Sequence, residues 1–388
     1  MSKRTLVWGL LWILSLVGIS FFGGPISYGF FALMTLIPAV AWLYLFLVFI
    51  CFRIYQKAGT NTLTVGKPVD FYFTLVNEFP LVFAGVRVRF FTSFSYINGL
   101  SDETEYELWP GTGIKKETEL ICKYRGEYEV GIKRVEIQDY LRLFKLSYRN
   151  RESLRVTVKP RLVYLDTLKS VNISNLLREA AKKKDTPDVL TRAYVSGDDV
   201  RRINWKQTAT VGSLMVRELS GEEKRGIGII TDTSRVSKDE AVYLPIENKI
   251  LETVLALALF MCGKGIPTHE VHYDGAKAVL DVESLNTFDN FYEAVSGISF
   301  DGENTTKNLL DAVTGDPEML SLNAVFLVVH SFDAYIKSII ELLNKNDTFV
   351  VVYLIDHDKE NGEDISLINL PRTEMICLSD DDDIKEVL

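Results

Sequence analysis

The order of polar and apolar positions changes twice along the chain, and each change marks a different kind of structure. From Thr5 to Phe52 no residue is charged, a run of 48 positions. About 20 apolar residues cross a bilayer as a helix, so this run predicts two spans. Gly23-Gly24-Pro25-Ile26-Ser27 breaks it as a tight turn. The expected helices are Leu6 to Phe22 and Tyr28 to Ile50, with Pro38 a tolerated kink in the second. A cleaved signal peptide fits less well, because the run is long, no Ala-x-Ala site follows and a second span comes at once. Lys3 and Arg4 precede the hairpin, Arg53 and Lys57 follow it, and the turn has no cation. The positive-inside rule then puts both ends in the cytoplasm and the hairpin, residues 1–57, in the cell (inner) membrane.

From Thr62 to Leu165 the apolar period becomes two. Phe71, Phe73 and Leu75 alternate with Asp70, Tyr72 and Thr74; Val86, Val88 and Phe90 alternate with Arg87 and Arg89; Leu154, Val156 and Val158 alternate with Arg155 and Thr157. Such alternation marks half-buried strands. Turn signals separate them at Gly66-Lys67-Pro68, Asn98-Gly99, Pro110-Gly111-Thr112-Gly113 and Arg125-Gly126. Residues 58–165 therefore read as a small antiparallel β-domain, sandwich-like or a barrel, with no catalytic constellation.

A polar stretch, Arg178 to Pro187, lies within a linking region over 166–225, and the period then changes again. Gly226 to Asp232 is a short apolar run ending in an Asp-Thr-Ser turn, the pattern of a buried strand. The expected order continues with a helix over Ile246–Cys262, strands over His269–Tyr273 and Ala278–Val282, and helices over Leu285–Val295 and Thr306–Val313. It ends with a strand over Ala324–Val329, a helix over Ala334–Leu343 and strands over Phe349–Ile355 and Thr373–Leu378. Strands alternating with helices predict a mostly parallel sheet covered on both faces, over 226–388. Ligands of such sheets sit beyond the carboxyl ends of the strands, where Asp232, Ser234 and His330 fall.

Composition adds a division of charge. The chain has 47% hydrophobic and 24% charged residues, which excludes a mostly disordered protein. Through Arg225 it carries 32 basic and 22 acidic side chains; beyond, 11 and 30. A basic half beside the membrane and an acidic half away from it suit an anchored protein. The acidic half would repel nucleic acid. Cys51, Cys122, Cys262 and Cys377 are scattered, which argues against a disulfide framework or a zinc site.

Ahead of the first α/β strand stand Arg192, Tyr194, Gly197-Asp198-Asp199, Arg201-Arg202-Ile203-Asn204-Trp205-Lys206 and, further on, Gly212, Leu214 and Val216-Arg217-Glu218. This series closely resembles the signature of the domain-of-unknown-function fifty-eight family, which is associated with MoxR-type AAA+ ATPases. Gln138-Asp139-Tyr140-Leu141-Arg142-Leu143-Phe144 resembles that family's Asp-Pro-Phe-Gly-Leu-Phe segment, with Pro and Gly replaced. The resemblance implies two transmembrane helices, a β-rich segment and a von Willebrand factor A-like domain of the Rossmann-type, doubly wound class. Physically, Asp198 or Asp199 is suited to cap a helix. Arg201 and Trp205 would then face each other four residues apart, as would Asp198 and Arg202. Two uses fit Gly197, Asp198, Arg201, Arg202 and Trp205: a helix clamped by a buried Trp205, or an interaction surface.

Von Willebrand A domains hold a divalent cation through Asp-x-Ser-x-Ser, a distant Thr and a second Asp. Asp232 and Ser234 match, Val236 replaces the second Ser, and Thr305 or Thr306 is placed for the distant Thr. His330 stands where the second Asp is expected, with Asp333 three residues on, and Arg235 adds positive charge. A set reduced to Asp232, Ser234 and Thr305 would hold Mg²⁺ weakly, so no cofactor is expected. His269 and His272 point to opposite faces of a strand and cannot share a metal. Cys262 reads as packing, and Asp380 to Asp383 as a solvated tail. The leading reading is a non-enzymatic, membrane-anchored adaptor for an AAA+ ATPase of the MoxR type. The alternatives are a Mg²⁺-dependent enzyme or sensor and an envelope adhesion protein.

Overall fold

The computed structural model describes residues 3–101, 104–169, 191–195, 203–217, 226–356 and 370–388. The chain divides into two compact units, Met1–Arg161 and Leu162–Leu388.

The first unit opens with α1 (Lys3–Phe22) and α2 (Pro25–Cys51), two helices long and apolar enough to cross a membrane. Their connection is only Gly23 and Gly24, both at positive φ, a region that glycine enters without steric cost. Pro25 then starts α2 at the first helical position, where its missing N–H costs nothing. Both helices start three residues earlier than expected, α1 taking in Lys3-Arg4-Thr5 and α2 Pro25-Ile26-Ser27.

The chain passes from Cys51, the last residue of α2, directly into β1 (Phe52–Ala58). Ten further strands follow: β2 (Thr62–Thr64), β3 (Val69–Asn77), β4 (Phe83–Phe90), β5 (Ser95–Ile97), β6 (Glu105–Leu108), β7 (Thr112–Cys122), β8 (Gly126–Val130), β9 (Ile132–Gln138), β10 (Lys145–Arg149) and β11 (Leu154–Lys159). They form sheets in the orders β1-β3-β7-β5, β10-β9-β4-β6 and β2-β11-β8. The alternation in the sequence is the alternation of burial: Phe71, Phe73 and Leu75 of β3 are buried and their neighbours are not. These residues pack against Val86, Val88 and Phe90 of β4 and Val135 and Ile137 of β9 in one core. The Phe73 ring lies 5.6 Å from Phe90 and 6.0 Å from Tyr106. Leu45 and Val48 of α2 join the same core. The Tyr44 hydroxyl donates to the Val82 carbonyl at 3.0 Å and accepts from the Ala84 amide at 3.1 Å. Hairpin and sandwich are therefore one packed body.

The second unit begins with a small hairpin, β12 (Thr191–Ala193) against β13 (Met215–Arg217), enclosing α3 (Trp205–Val211). Then come β14 (Ile227–Thr231), α4 (Glu240–Gly263), β15 (Thr268–Tyr273), β16 (Lys277–Val282), α5 (Leu285–Ser296), α6 (Thr306–Thr314), α7 (Pro317–Leu320), β17 (Ala324–Val329), α8 (Ala334–Lys345), β18 (Phe349–Asp356), β19 (Thr373–Ser379) and α9 (Ile384–Val387). The sheet order is β16-β15-β14-β17-β18-β19, parallel except for β16. One face packs on α4 and α5, through Ile227, Ile229 and Phe326 with Leu251, Val254 and Phe291. The other packs on α6 and α8, through Val325, Leu327 and Val350 with Leu309, Ile336 and Ile340. Burial on both faces is why β17 is apolar at every position. The acidic C-terminal run is not a loose tail. Asp382 accepts from the Ser379 amide at 2.8 Å, Asp383 caps α9, and Ile384 and Leu388 enter the core.

Candidate functional site at the carboxyl ends of the central strands

In the order β16-β15-β14-β17-β18-β19 the chain winds outward in one direction from β14 and in the other from β17. The crevice between their carboxyl ends is the topological switch point, the usual ligand position of open α/β sheets. Asp232 follows β14 there, its amide still in the ladder to the Val328 carbonyl at 2.9 Å. His330 follows β17.

The Asp232 carboxylate is 1% exposed. Its Oδ1 accepts from the Ser234 amide at 3.0 Å and from the Ser234 hydroxyl at 2.7 Å. The same hydroxyl lies 2.8 Å from His330 Nε2, and Nε2 lies 3.4 Å from Asp232 Oδ2. Since the serine proton goes to Asp232, the serine oxygen accepts from His330, which fixes the ring proton on Nε2. Oδ2 of Asp232 is buried without a hydrogen-bond partner among the described residues. The three residues expected beyond the carboxyl ends of the strands are thus in mutual contact. The arrangement is not that of an activated nucleophile. His330 donates to the serine rather than taking its proton, and the carboxylate meets the same ring nitrogen instead of orienting the other one.

The neighbouring loop is tied on through backbone. Ser234 bridges Asp301, the Arg235 amide donates to the Asp301 carbonyl at 3.2 Å, and the Asn304 side chain reaches Thr233. Of the two candidate threonines, Thr305 spends its hydroxyl capping α6 from an exposed position. Thr306 is the one turned inward, and it donates to Asp333, which itself caps α8. Thr305 is thus corrected to Thr306 as the inward threonine. Arg235 also departs from expectation. Its guanidinium pairs with Glu247 at 2.9 Å and stacks 4.2 Å from the Tyr243 ring, so its charge is taken up away from Asp232. Val236 is exposed.

These residues fit a hard cation poorly. His330 Nε2, carrying a proton, stands against both Ser234 Oγ and Asp232 Oδ2, where a shared cation would have to lie. Thr306 and Asp333 are committed to each other. Mg²⁺ requires an octahedral shell of oxygens, which this donor set does not offer.

A second polar group, invisible to the pattern of the sequence, lies one residue away. Thr231 donates to Glu270 Oε1 at 2.6 Å, and Glu270 Oε2 meets His272 Nδ1 at 2.8 Å. Glu270 is fully buried. Burial pushes the His272 imidazole down, but the hydrogen bond and charge of Glu270, with the charge of Asp274, outweigh it and hold the pKa above 6.5. His269 faces the other way, as its odd spacing requires, between Asp281 at 2.6 Å and Asp316 at 3.4 Å. Burial tends to raise the Asp316 carboxyl, and the Lys277 ammonium with the Met319 amide instead hold it below its ordinary value. The signal in the sequence was only an acid at an inward position of an expected strand.

Of the signature residues, Gly197, Asp198, Arg201 and Arg202 lie outside the described residues. Trp205 is described, and it overturns the expectation of a buried clamp. It is the first residue of α3, capped by Asn204 rather than by an aspartate, and is 66% exposed.

The open α/β sheet with a polar cluster at its switch point defines the structural class. Residues 190–265, from the β12–α3–β13 hairpin through Asp232 and Ser234 to the end of α4, match the family model described as "Protein of unknown function DUF58". This is the family the signature resembles. No curated protein matches the chain. Among solved structures, the CARDB domain of the PF1109 protein from Pyrococcus furiosus is 16% identical, over 28% of this chain and 86% of that one, with a TM-score of 0.19. A FixG-related protein from Vibrio parahaemolyticus is 12% identical over 28% and 97%, with a TM-score of 0.20. A β-glucosidase, EmGH1, from Erythrobacter marinus is 9% identical over 28% and 15%, with a TM-score of 0.16. Likenesses at this level carry no argument about function.

Proposed function

We propose that the chain is a non-enzymatic adaptor, anchored in the cell membrane by α1 and α2 with both ends in the cytoplasm. It presents a von Willebrand factor A-like domain to an AAA+ ATPase of the MoxR type. The sheet order, with its antiparallel strand at one edge, supports that domain type. Lys3 and Arg4 before the hairpin and Arg53 and Lys57 after it support the topology. The observation that carries the non-enzymatic reading is the Asp232–Ser234–His330 arrangement, in which the hydroxyl accepts from His330, so the imidazole does not serve as its base as it does in a catalytic triad. The second reading, a Mg²⁺-dependent enzyme or sensor, draws on the unpartnered Asp232 Oδ2. Asp232→Asn in the full-length protein separates the two. On the adaptor reading, the substitution weakens ATPase co-purification in the presence of ATP, and the wild type shows no Mg²⁺-dependent rise in melting temperature. A clear Mg²⁺-dependent rise that Asp232→Asn abolishes would establish the metal reading instead. Reporter fusions of alkaline phosphatase and a fluorescent protein after Leu388 test the topology: fluorescence without phosphatase activity is expected.

A further inference from the structure

The end of the sandwich at which α2 enters carries an apolar rim of its own. Phe52, the residue after α2, pairs with Asn77, and Asn77 pairs with Thr112. That edge therefore bears the loop from β3 to β4 and the turn from β6 to β7. Asn77 stitches them together, its side-chain amide donating to the carbonyls of Leu81 at 2.8 Å and Leu108 at 3.0 Å. The loop from β9 to β10 joins the same end. The Tyr140 hydroxyl donates to the Val82 carbonyl at 2.8 Å, its ring lies 5.1 Å from that of Tyr44, and the Leu143 carbonyl accepts from Thr5 of α1 at 2.7 Å. On these three loops Leu81, Trp109, Tyr140 and Leu141 are exposed. Between them and α2 lies an apolar groove of about 540 Å³, walled by Leu36, Val40, Leu43 and Leu47 on one side and Leu81 and Leu141 on the other.

We propose that these three loops sit in the membrane interface and that the groove takes the acyl chain of a membrane phospholipid. The proposal rests on the reading that α1 and α2 span the membrane. One wall of the groove is then the lipid-facing surface of α2, so hydrocarbon is continuous with it. Its volume lies within the roughly 300–1,000 Å³ range of ligand pockets. Trp and Tyr are the residues that favour the membrane–water boundary, with an apolar body and a polar tip. The β9–β10 loop is also built to enter a poorly hydrating zone. Asp139 accepts from the Phe144 amide at 2.7 Å and the Leu141 amide at 3.1 Å, which closes the loop's own polar groups. Arg142 stands at φ 56° where the family's segment has Gly, and its guanidinium is paired with Glu105 at 3.1 Å.

The test uses the full chain in phosphatidylcholine vesicles with two photoreactive lipids, one carrying a diazirine near the carboxyl end of an acyl chain and one near its terminal methyl. Adducts are mapped by mass spectrometry. The first lipid is expected to label the Leu81, Trp109 and Tyr140–Leu141 segments, and both are expected to label α2 around Leu33. Tyr96, whose partner Ile121 lies at the far end of β7, is expected to stay unlabelled. Tyr140→Ser with Leu141→Asp should remove the label from that loop and leave it at Leu33. Label on α2 with none on the loops overturns the proposal and leaves the membrane reading standing. Absence of label from α2 as well overturns both. Equal label at Tyr96 shows that the lipid does not distinguish these loops from the far end of the sandwich and overturns the proposal.

Discussion

Thr231 and Asp232 are adjacent in the chain and face opposite sides of one sheet, and their surroundings differ in kind. On the side of Thr231, Glu270 is fully buried with a donor on each carboxylate oxygen. On the side of Asp232, one oxygen takes two donors from Ser234 while the other has no hydrogen bond among the described residues, with His330 at 3.4 Å. A buried polar network is stable when every member is satisfied, and a carboxylate short of a donor is poised to accept one. The closed network reads as a fixture of the sheet. The open one stands at the switch point, where loops from β14, β17 and the turn before α6 converge.

The comparison breaks first at Glu270. Glu270→Ala leaves His272 and Thr231 buried without their shared partner and should cost about 3–5 kcal/mol, read as a loss of denaturant midpoint for the α/β unit. A change no larger than that of an exposed site would mean the network is solvated. Asp232→Asn should cost far less, about 1 kcal/mol, because the amide oxygen still accepts from Ser234 and the orphan oxygen is replaced by an uncharged NH2 group. Equal losses at the two sites would erase the distinction.

Titration sharpens it further. His272 has a folded-state pKa above its ordinary 6.5, so its stabilisation is complete below that pH and is lost as pH rises through the folded value. Melting temperature should therefore fall across that window in the wild type, and Glu270→Gln should flatten the fall. A fall that persists unchanged in Glu270→Gln would assign it to another group. The smallest effect is expected at Trp205. As an exposed first residue of α3, its change to Ala should move stability by less than about 0.5 kcal/mol. A loss of several kcal/mol would show that Trp205 is covered in solution.

The periods in the sequence translate directly into this architecture, because burial imposes them. Alternation in β3 follows from one buried face, and the unbroken apolar run of β17 from two. Helix ends were less legible. The apolar run marks α4 from Ile246, whereas Asp239 caps it and the helix begins at Glu240, carrying Pro245 and buried polar residues that break the pattern. The site was legible where chemistry sits beside a strand end, at Asp232, Ser234 and His330. It was not legible where partners come from other segments: Glu247 for Arg235, Asp333 for Thr306, Thr231 for Glu270. The sequence left two uses open for Trp205, because a large aromatic in a signature suits a core or a surface equally, and α3 presents it outward.

The direct passage from α2 into β1 has a mechanical consequence. With no flexible residues between helix and strand, and with Tyr44, Leu45 and Val48 packed into the sandwich, helix and sheet turn as one lever. Helices longer than the hydrocarbon layer answer a change in its thickness by tilting. On the proposed anchoring, the part of α2 ahead of Tyr44 is about 30 Å of helix, close to the thickness of the hydrocarbon layer, so a thinner layer calls for tilt. A tilt of about 10° would swing the far end of β7, about 36 Å along the strand, by about 6 Å. On the proposed anchoring in a membrane, bilayer thickness becomes an input that the sandwich can carry away from the membrane as displacement.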